Sequence, residues 1–306
     1  MKEIMVIGGI TADIEGNPYG QLVMGDSNPG KISMSYGGVG RNITENLTRL
    51  GADVGFVSVA GDDFVGRGAV SELQTLGVDV SHVHLLPGEN TAMYLSILNL
   101  FGEMELALSN MDILEKVSIE MIDSGLADLK NAKMVGLDTN LTEETLDYLI
   151  EKLAGVPLFL DPVSATKAVR AQKNIGRFHT IKPNRIEAEA ITGLVILNEE
   201  QLMEAGKWFD EQGVKRIYIT LSGGGVYYKE GTCEGILRPE STAVISATGA
   251  GDAFSAAVMD GFVLGMDVLE SAKYGMAAAS IATEAKTAVN PCMNREEAMR
   301  RKENGK

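Results

Sequence analysis

Asp252 follows Gly249-Ala250-Gly251 and precedes a run of small and apolar residues, AFSAAVMDGFVLG. Two glycines let the chain turn tightly and bring bare amides up to a ligand. The run that follows reads as a helix starting near Gly251, after a short strand ending at Val244-Ile245. The first N–H groups of a helix lack intrahelical partners and carry the positive end of its dipole. Such an end suits a phosphate or a developing oxyanion. A carboxylate beside it could take a proton from a hydroxyl that attacks phosphorus. It could also serve the dipole alone, which favours an acid there whatever the function. The small residues point to a helix packed inside, and an acid at the mouth of a buried helix is more often part of a site.

Three further motifs carry possible chemistry. GGVGRN (37–42) has three glycines that allow close backbone approach, and Asn42 offers a donor and acceptors. It follows no strong strand, so a dinucleotide-binding turn is a weak reading. SGGG (222–225), after RIYITL, is either a hairpin turn or a loop touching a nucleotide. KPNRIEAE (182–189) sets Asn184 and Glu187 one turn apart on a helix beginning after Pro183. That pair could orient waters on Mg²⁺, or simply open a helix with an acid in its first turn. No G-x-x-x-x-G-K-[ST] occurs, so phosphate would have to use another glycine turn.

The elements that must position these motifs alternate. IMVIG (4–8), VGFVSVA (54–60), KMVGL (133–137), VPLFL (156–160) and RIYITL (216–221) read as buried strands. Helical patterns fall between them at 41–50, 142–155 and 199–213, each stopping at or next to a glycine. Strand–helix–strand repetition predicts an α/β fold whose parallel sheet is covered on both faces. Two segments break the rhythm. Residues 11–35 are polar and turn-rich, and 91–108 look like two strands joined at Phe101-Gly102-Glu103. Both are expected to be β insertions, forming a lid, an oligomer contact or a plain edge sheet.

Composition narrows the classes. The 306 residues carry a formal charge of −15, and 45% are hydrophobic. An acidic surface disfavours nucleic acid and anionic membranes as partners, so any anionic ligand needs local amides or a metal ion. No apolar run is long enough to span a membrane, and MKEIMVIGGI is too short for a signal peptide. A cytoplasmic location is expected, with Cys233 and Cys292 as ordinary reduced thiols. His82 and His84 would share one face of a strand, but no third ligand stands near them in sequence to suggest zinc.

Taken in order, Asp13, GGVGRN, DPV (161–163), KPN-R-I-E (182–187), TLSGGGV (220–226) and TGAGD (248–252) resemble the PfkB, or ribokinase-like, family of sugar and nucleoside kinases. The resemblance covers essentially the whole chain. It implies one kinase domain over residues 1–306: a central, mostly parallel sheet flanked by helices, with a small β lid from insertions at about 11–35 and 91–111. DSNPGKI (26–32), PGENTAMYLSILN (87–99) and GEMELALSNM (102–111) are most similar to members that phosphorylate the 5′-hydroxyl of pseudouridine. Kinases of another ribonucleoside, of ribose or of a deoxy-sugar acid are the alternative, and a non-catalytic nucleoside sensor on the same scaffold a more distant one.

The resemblance also implies roles. Asp252 would be the general base, with the amides of Gly249, Ala250 and Gly251 as anion hole. Asp13, Gly37, Gly38 and Asn42 would hold the sugar, and Asp26 and Asn28 would lie on the substrate side. Asn184, Thr220, Ser222, Gly223 and Gly225 would meet ATP, and Glu187 and Asp161 its Mg²⁺. Ser246 stands where many relatives carry an acid that helps hold a monovalent cation, which puts K⁺ activation in doubt. Pairing of exposed lid edges would make a homodimer.

Overall fold

The computed structural model describes residues 2–221, 223, 225–239 and 248–304. The short strand expected to end at Val244-Ile245, the substituted Ser246 and the expected ATP contact Ser222 lie outside them.

Among the described residues, thirteen strands form two sheets. In chain order they are β1 (Ile4–Ile7), β2 (Thr11–Pro18), β3 (Gly30–Gly37), β4 (Val54–Gly61), β5 (Asp79–Leu86), β6 (Ala92–Leu98), β7 (Met104–Asn110), β8 (Met134–Asp138), β9 (Leu158–Asp161), β10 (Thr180–Ile181), β11 (Arg216–Leu221), β12 (Gly225–Glu230) and β13 (Cys233–Leu237). The large sheet runs β13-β12-β11-β10-β9-β8-β1-β4-β5. It is parallel from β11 through β5, and β12 and β13 add an antiparallel edge.

β1 shows why. All four of its residues are buried, as expected of a strand covered on both faces. Met5 and Ile7 enter one core with Leu146, Leu149 and Phe209 from the helices on that side. Ile4 and Val6 enter the other, with Ile43, Leu47, Ala253 and Ala257. Helix ends obey local chemistry. Thr142 caps Glu143–Lys152 by accepting from Thr145 N, and Gly213 closes Glu199–Gln212 at φ 111°, a value that favours glycine.

The two segments that interrupt the α/β rhythm supply the small sheet, ordered β3-β2-β6-β7. One feature departs from the sequence reading. GGVGRN does follow a strand, β3, whose KISMSY alternates apolar and polar residues. That strand is antiparallel to β2 and outside the parallel sheet, so it offers no dinucleotide-binding turn.

Candidate active site

Neighbouring parallel strands deliver their carboxyl ends to one edge. Lys182 follows β10, Asp161 ends β9, Asp138 ends β8, and Gly8-Gly9 follow β1. Ligands of open parallel sheets bind outside this edge. The helix Ala250–Val263 opens against it. Its N-cap, Gly249, has φ 78° and, being glycine, brings no side chain of its own to the first amides. A Cβ on Gly249 would lie inside the Ala288 carbonyl, so the turn tolerates nothing larger.

Asp252 stands on the first turn of that helix. Asn42 Nδ2 donates to its Oδ2 at 2.9 Å. Burial pushes the Asp252 carboxyl up to about 7, Asp161 adds to the rise, and the Asn42 hydrogen bond and the Lys182 charge oppose it. A carboxyl tuned there exchanges a proton near neutrality.

Asn42 belongs to the Val39–Arg49 helix, whose N-cap, Gly38, has φ 99°. A Cβ on Gly38 would sit 2.4 Å from the Gly9 carbonyl oxygen, and one on Gly37 would sit 2.2 Å from Asp13 Oδ2. The segment 37–42 therefore meets Asp13 at one end and Asp252 at the other. Burial raises the Asp13 carboxyl, while Thr11 and Arg41 oppose the rise.

Two residues of this edge are absent from the sequence reading. Lys182 is buried, with Nζ 3.0 Å from Asp161 Oδ2. Burial alone would lower its ammonium, but Asp161, Glu187 and Asp252 together hold it above the ordinary lysine value. A Cβ on Gly251 would lie 3.3 Å from Nζ, so this cation stands beside the glycine turn. Asp138 is fully buried and accepts from Gly9 N at 3.0 Å, Gly40 N at 2.9 Å and Asn140. It binds the glycine segment to the end of β1, and burial raises its carboxyl.

Asn184 and Glu187 close on each other. Asn184 Oδ1 accepts from Glu187 N at 2.9 Å, and Asn184 N donates to Glu187 Oε2 at 2.8 Å, a capping box for Arg185–Thr192. Asp161 Oδ2 also accepts from Ser255 Oγ at 2.8 Å, and its Oδ1 from Val163 N at 3.1 Å. Val163 has φ 61°, the single positive value outside glycine among the described residues, so strain sits inside this motif. Among the described residues, no three His, Cys, Asp or Glu side chains gather as a metal cage. Glu187 and Asp161 are hard oxygen donors, already hydrogen-bonded. They fit Mg²⁺ through its waters, the mode that ion prefers beside phosphates.

Thr220 adjoins this box, with its N–H on the Pro183 carbonyl at 2.9 Å. β11 and β12 form an antiparallel hairpin, with Gly223 at φ 68° and Gly225 at φ 99°. The pairing of Leu221 with Gly225 agrees with the hairpin reading, and the bridge between Thr220 and Asn184 sets the end of β11 beside the capping box.

Asp26 and Asn28 are not brought to the site. They lie on the loop between β2 and β3. Asn28 Oδ1 accepts from Val23 N, and its Nδ2 donates to the Val23 and Asp26 carbonyls. Asp13 pairs with Ser35, whereas the far end of the hairpin pairs Pro18 with Gly30, about 17 Å further along the strand. A hollow of about 440 Å³ lies there, lined by Asp26, Asn28, Met24, Ile32, Ile97 and Leu106.

The model of the pfkB family carbohydrate kinases matches residues 1–295. The chain belongs to that family. It is an ATP-dependent kinase of a sugar or nucleoside. Pseudouridine kinase of Escherichia coli (strain K12) is 37% identical to it over 289 residues, 94% of this chain and 92% of the relative. The crystal structure of a putative sugar kinase from Clostridium perfringens superposes with a TM-score of 0.89 at 31% identity, covering 99% of this kinase and 96% of that chain. Arabidopsis thaliana ribokinase complexed with ribose and ATP superposes at 0.86, with 23% identity and 98% of each chain covered, a likeness of fold. No helix among the kinase's described residues is long and apolar enough to cross a membrane.

Proposed function

We propose that this kinase transfers the γ-phosphoryl group of ATP to the 5′-hydroxyl of pseudouridine, with Asp252 as proton acceptor. The observation that carries the chemistry is Asp252 on the first turn of a helix whose N-cap is glycine, hydrogen-bonded by Asn42 and poised near neutral pH. The relative 37% identical over nearly the whole chain supports this substrate.

The steps follow from the residues. Asp13 accepts hydrogen bonds from a sugar diol, and Gly37 and Gly38 let the sugar approach the backbone. Asp252 takes the proton as the hydroxyl oxygen meets the γ-phosphorus in line. The amides at Gly249, Ala250 and Gly251 receive the phosphoryl oxygens, and Lys182 adds a point charge beside them. Thr220, Gly223 and Gly225 flank the nucleotide. Glu187 and Asp161 would hold Mg²⁺ through its waters, and the ion would supply charge neutralisation for the triphosphate.

The small sheet acts as the lid over residues 1–306 as one domain, and its two faces differ. Strand alternation sets Asp13, Glu15, Tyr94 and Ser96 on one face. Ile14, Ile32, Met34, Leu95, Leu106 and Leu108 share the other, and Leu108 is 63% exposed. A second copy brings the same apolar face, so a two-fold homodimer buries it.

ADP release from MgATP, measured with pseudouridine, uridine, adenosine, inosine and ribose, tests the substrate. Pseudouridine is expected to give the largest kcat/KM. A preference for uridine or ribose refutes this substrate, and nucleoside binding without ADP release refutes the catalytic reading.

A further inference from the structure

Arg41 stands on the first turn of the Val39–Arg49 helix and is 3% exposed. Its Nη2 lies 2.6 Å from Glu45 and 2.5 Å from Glu72, and its Nη1 is 3.2 Å from Asn42 Oδ1. Adjacent residues on a helix ordinarily point apart. Here two carboxylates, one from the next turn and one from the Phe64–Leu76 helix, hold the guanidinium where it meets its neighbour.

The contact has a polarity. A side-chain amide has an accepting end and a donating end. With Oδ1 on Arg41, the donating Nδ2 is the end that reaches Asp252, at 2.9 Å. Turned over, the amide would set its oxygen against a carboxylate oxygen and its NH₂ against a guanidinium. We propose that Arg41 is a positioning residue that fixes the Asn42 amide with its NH₂ toward Asp252. The inference rests on Asp252 being the proton acceptor.

Arg41→Lys isolates the effect. A single ammonium stays with buried Glu45 and half-exposed Glu72 and keeps the charge balance of this cluster, but it has no second branch for Asn42. Selective ¹⁵N-asparagine labelling reads the geometry without turnover, the Asn42 signal being assigned by its loss in Asn42→Asp. In the unmodified protein one Asn42 amide proton is expected to be shifted downfield by the carboxylate, and this shift is expected to disappear in Arg41→Lys. ADP release from MgATP with pseudouridine reads the consequence. Arg41→Lys is expected to lower kcat roughly tenfold with KM for ATP unchanged, and to change kcat less than about twofold in an Asn42→Ala background. A shift retained in Arg41→Lys overturns the proposal, as does an equal kcat loss in both backgrounds. An unmodified protein inert toward pseudouridine, with the shift lost in Arg41→Lys, overturns the substrate reading and supports the positioning role.

Discussion

Asn42 and Asp252 are 210 residues apart in sequence and joined by a 2.9 Å hydrogen bond. Asn42 lies at the start of the first helix, Val39–Arg49, between the two halves of the small sheet, and Asp252 at the start of Ala250–Val263. The bond makes the ionisation of the proposed base depend on the glycine segment that also touches Asp13.

Asp252→Asn is expected to lower kcat by roughly 10²–10⁴ while leaving ATP binding intact. It is also expected to stabilise the fold. The Asp252 carboxyl is raised from 3.8 to about 7, so ionising it in the folded protein costs stability. That cost is absent below about pH 4 and complete above about pH 7. The variant should gain on the order of 4 kcal/mol at pH 8 and nothing at pH 3.5, read by denaturant unfolding. Near-normal turnover would remove Asp252 from the chemistry.

The pH dependence of kcat/KM reports the free enzyme. It should fall on the acid side with a midpoint near pH 7, because Asp252 must be ionised to accept a proton. Asn42→Ala removes a bond that favours the ionised form, so its midpoint should move up. A profile flat from pH 6 to pH 9 contradicts this assignment.

Lys182→Met leaves Asp161 buried without its cation and should cost about 3–5 kcal/mol of stability. Adding Asp161→Asn should restore part of that loss. Turnover should stay at least about 10²-fold down in the double variant, because the charge beside the glycine turn and a carboxylate facing Mg²⁺ are then both missing. Recovery of both stability and turnover would reduce Lys182 to a structural partner.

Leu106→Asp and Leu108→Asp place charge on the apolar lid face, at positions exposed in the single chain. Light scattering should find a dimer for the unmodified protein and a monomer for either variant. A monomer in every case refutes the two-fold assembly.

Much of this was legible in the sequence. The strands at 4–8, 54–60, 133–137 and 156–160 are largely apolar runs without a polar face, which a doubly covered sheet accommodates, while RIYITL at 216–221 alternates and carries Arg216 and Thr220 on one face. The Asp252 turn was legible because glycine punctuation and an acid coincide. Lys182 was not, because a lysine before Pro-Asn looks solvated until strand order sets it between Asp161 and Glu187. Asp138 left a signal, an acid ending the apolar run MVGLD, which pattern alone does not separate from a turn residue. The distance of Asp26 and Asn28 from Asp13 was not legible, because composition does not tell how far a hairpin carries its tip. β3 was legible only as part of a β insertion and not as a strand running into GGVGRN, because turn-forming neighbours masked its short alternation.

The contact between Gly249 and the Ala288 carbonyl ties the start of the Ala250–Val263 helix to a segment beyond the next helix, Val268–Ala282. Any side chain at position 249 would have to push that segment away. The two stretches therefore cannot drift independently, and a change in one must be answered in the other.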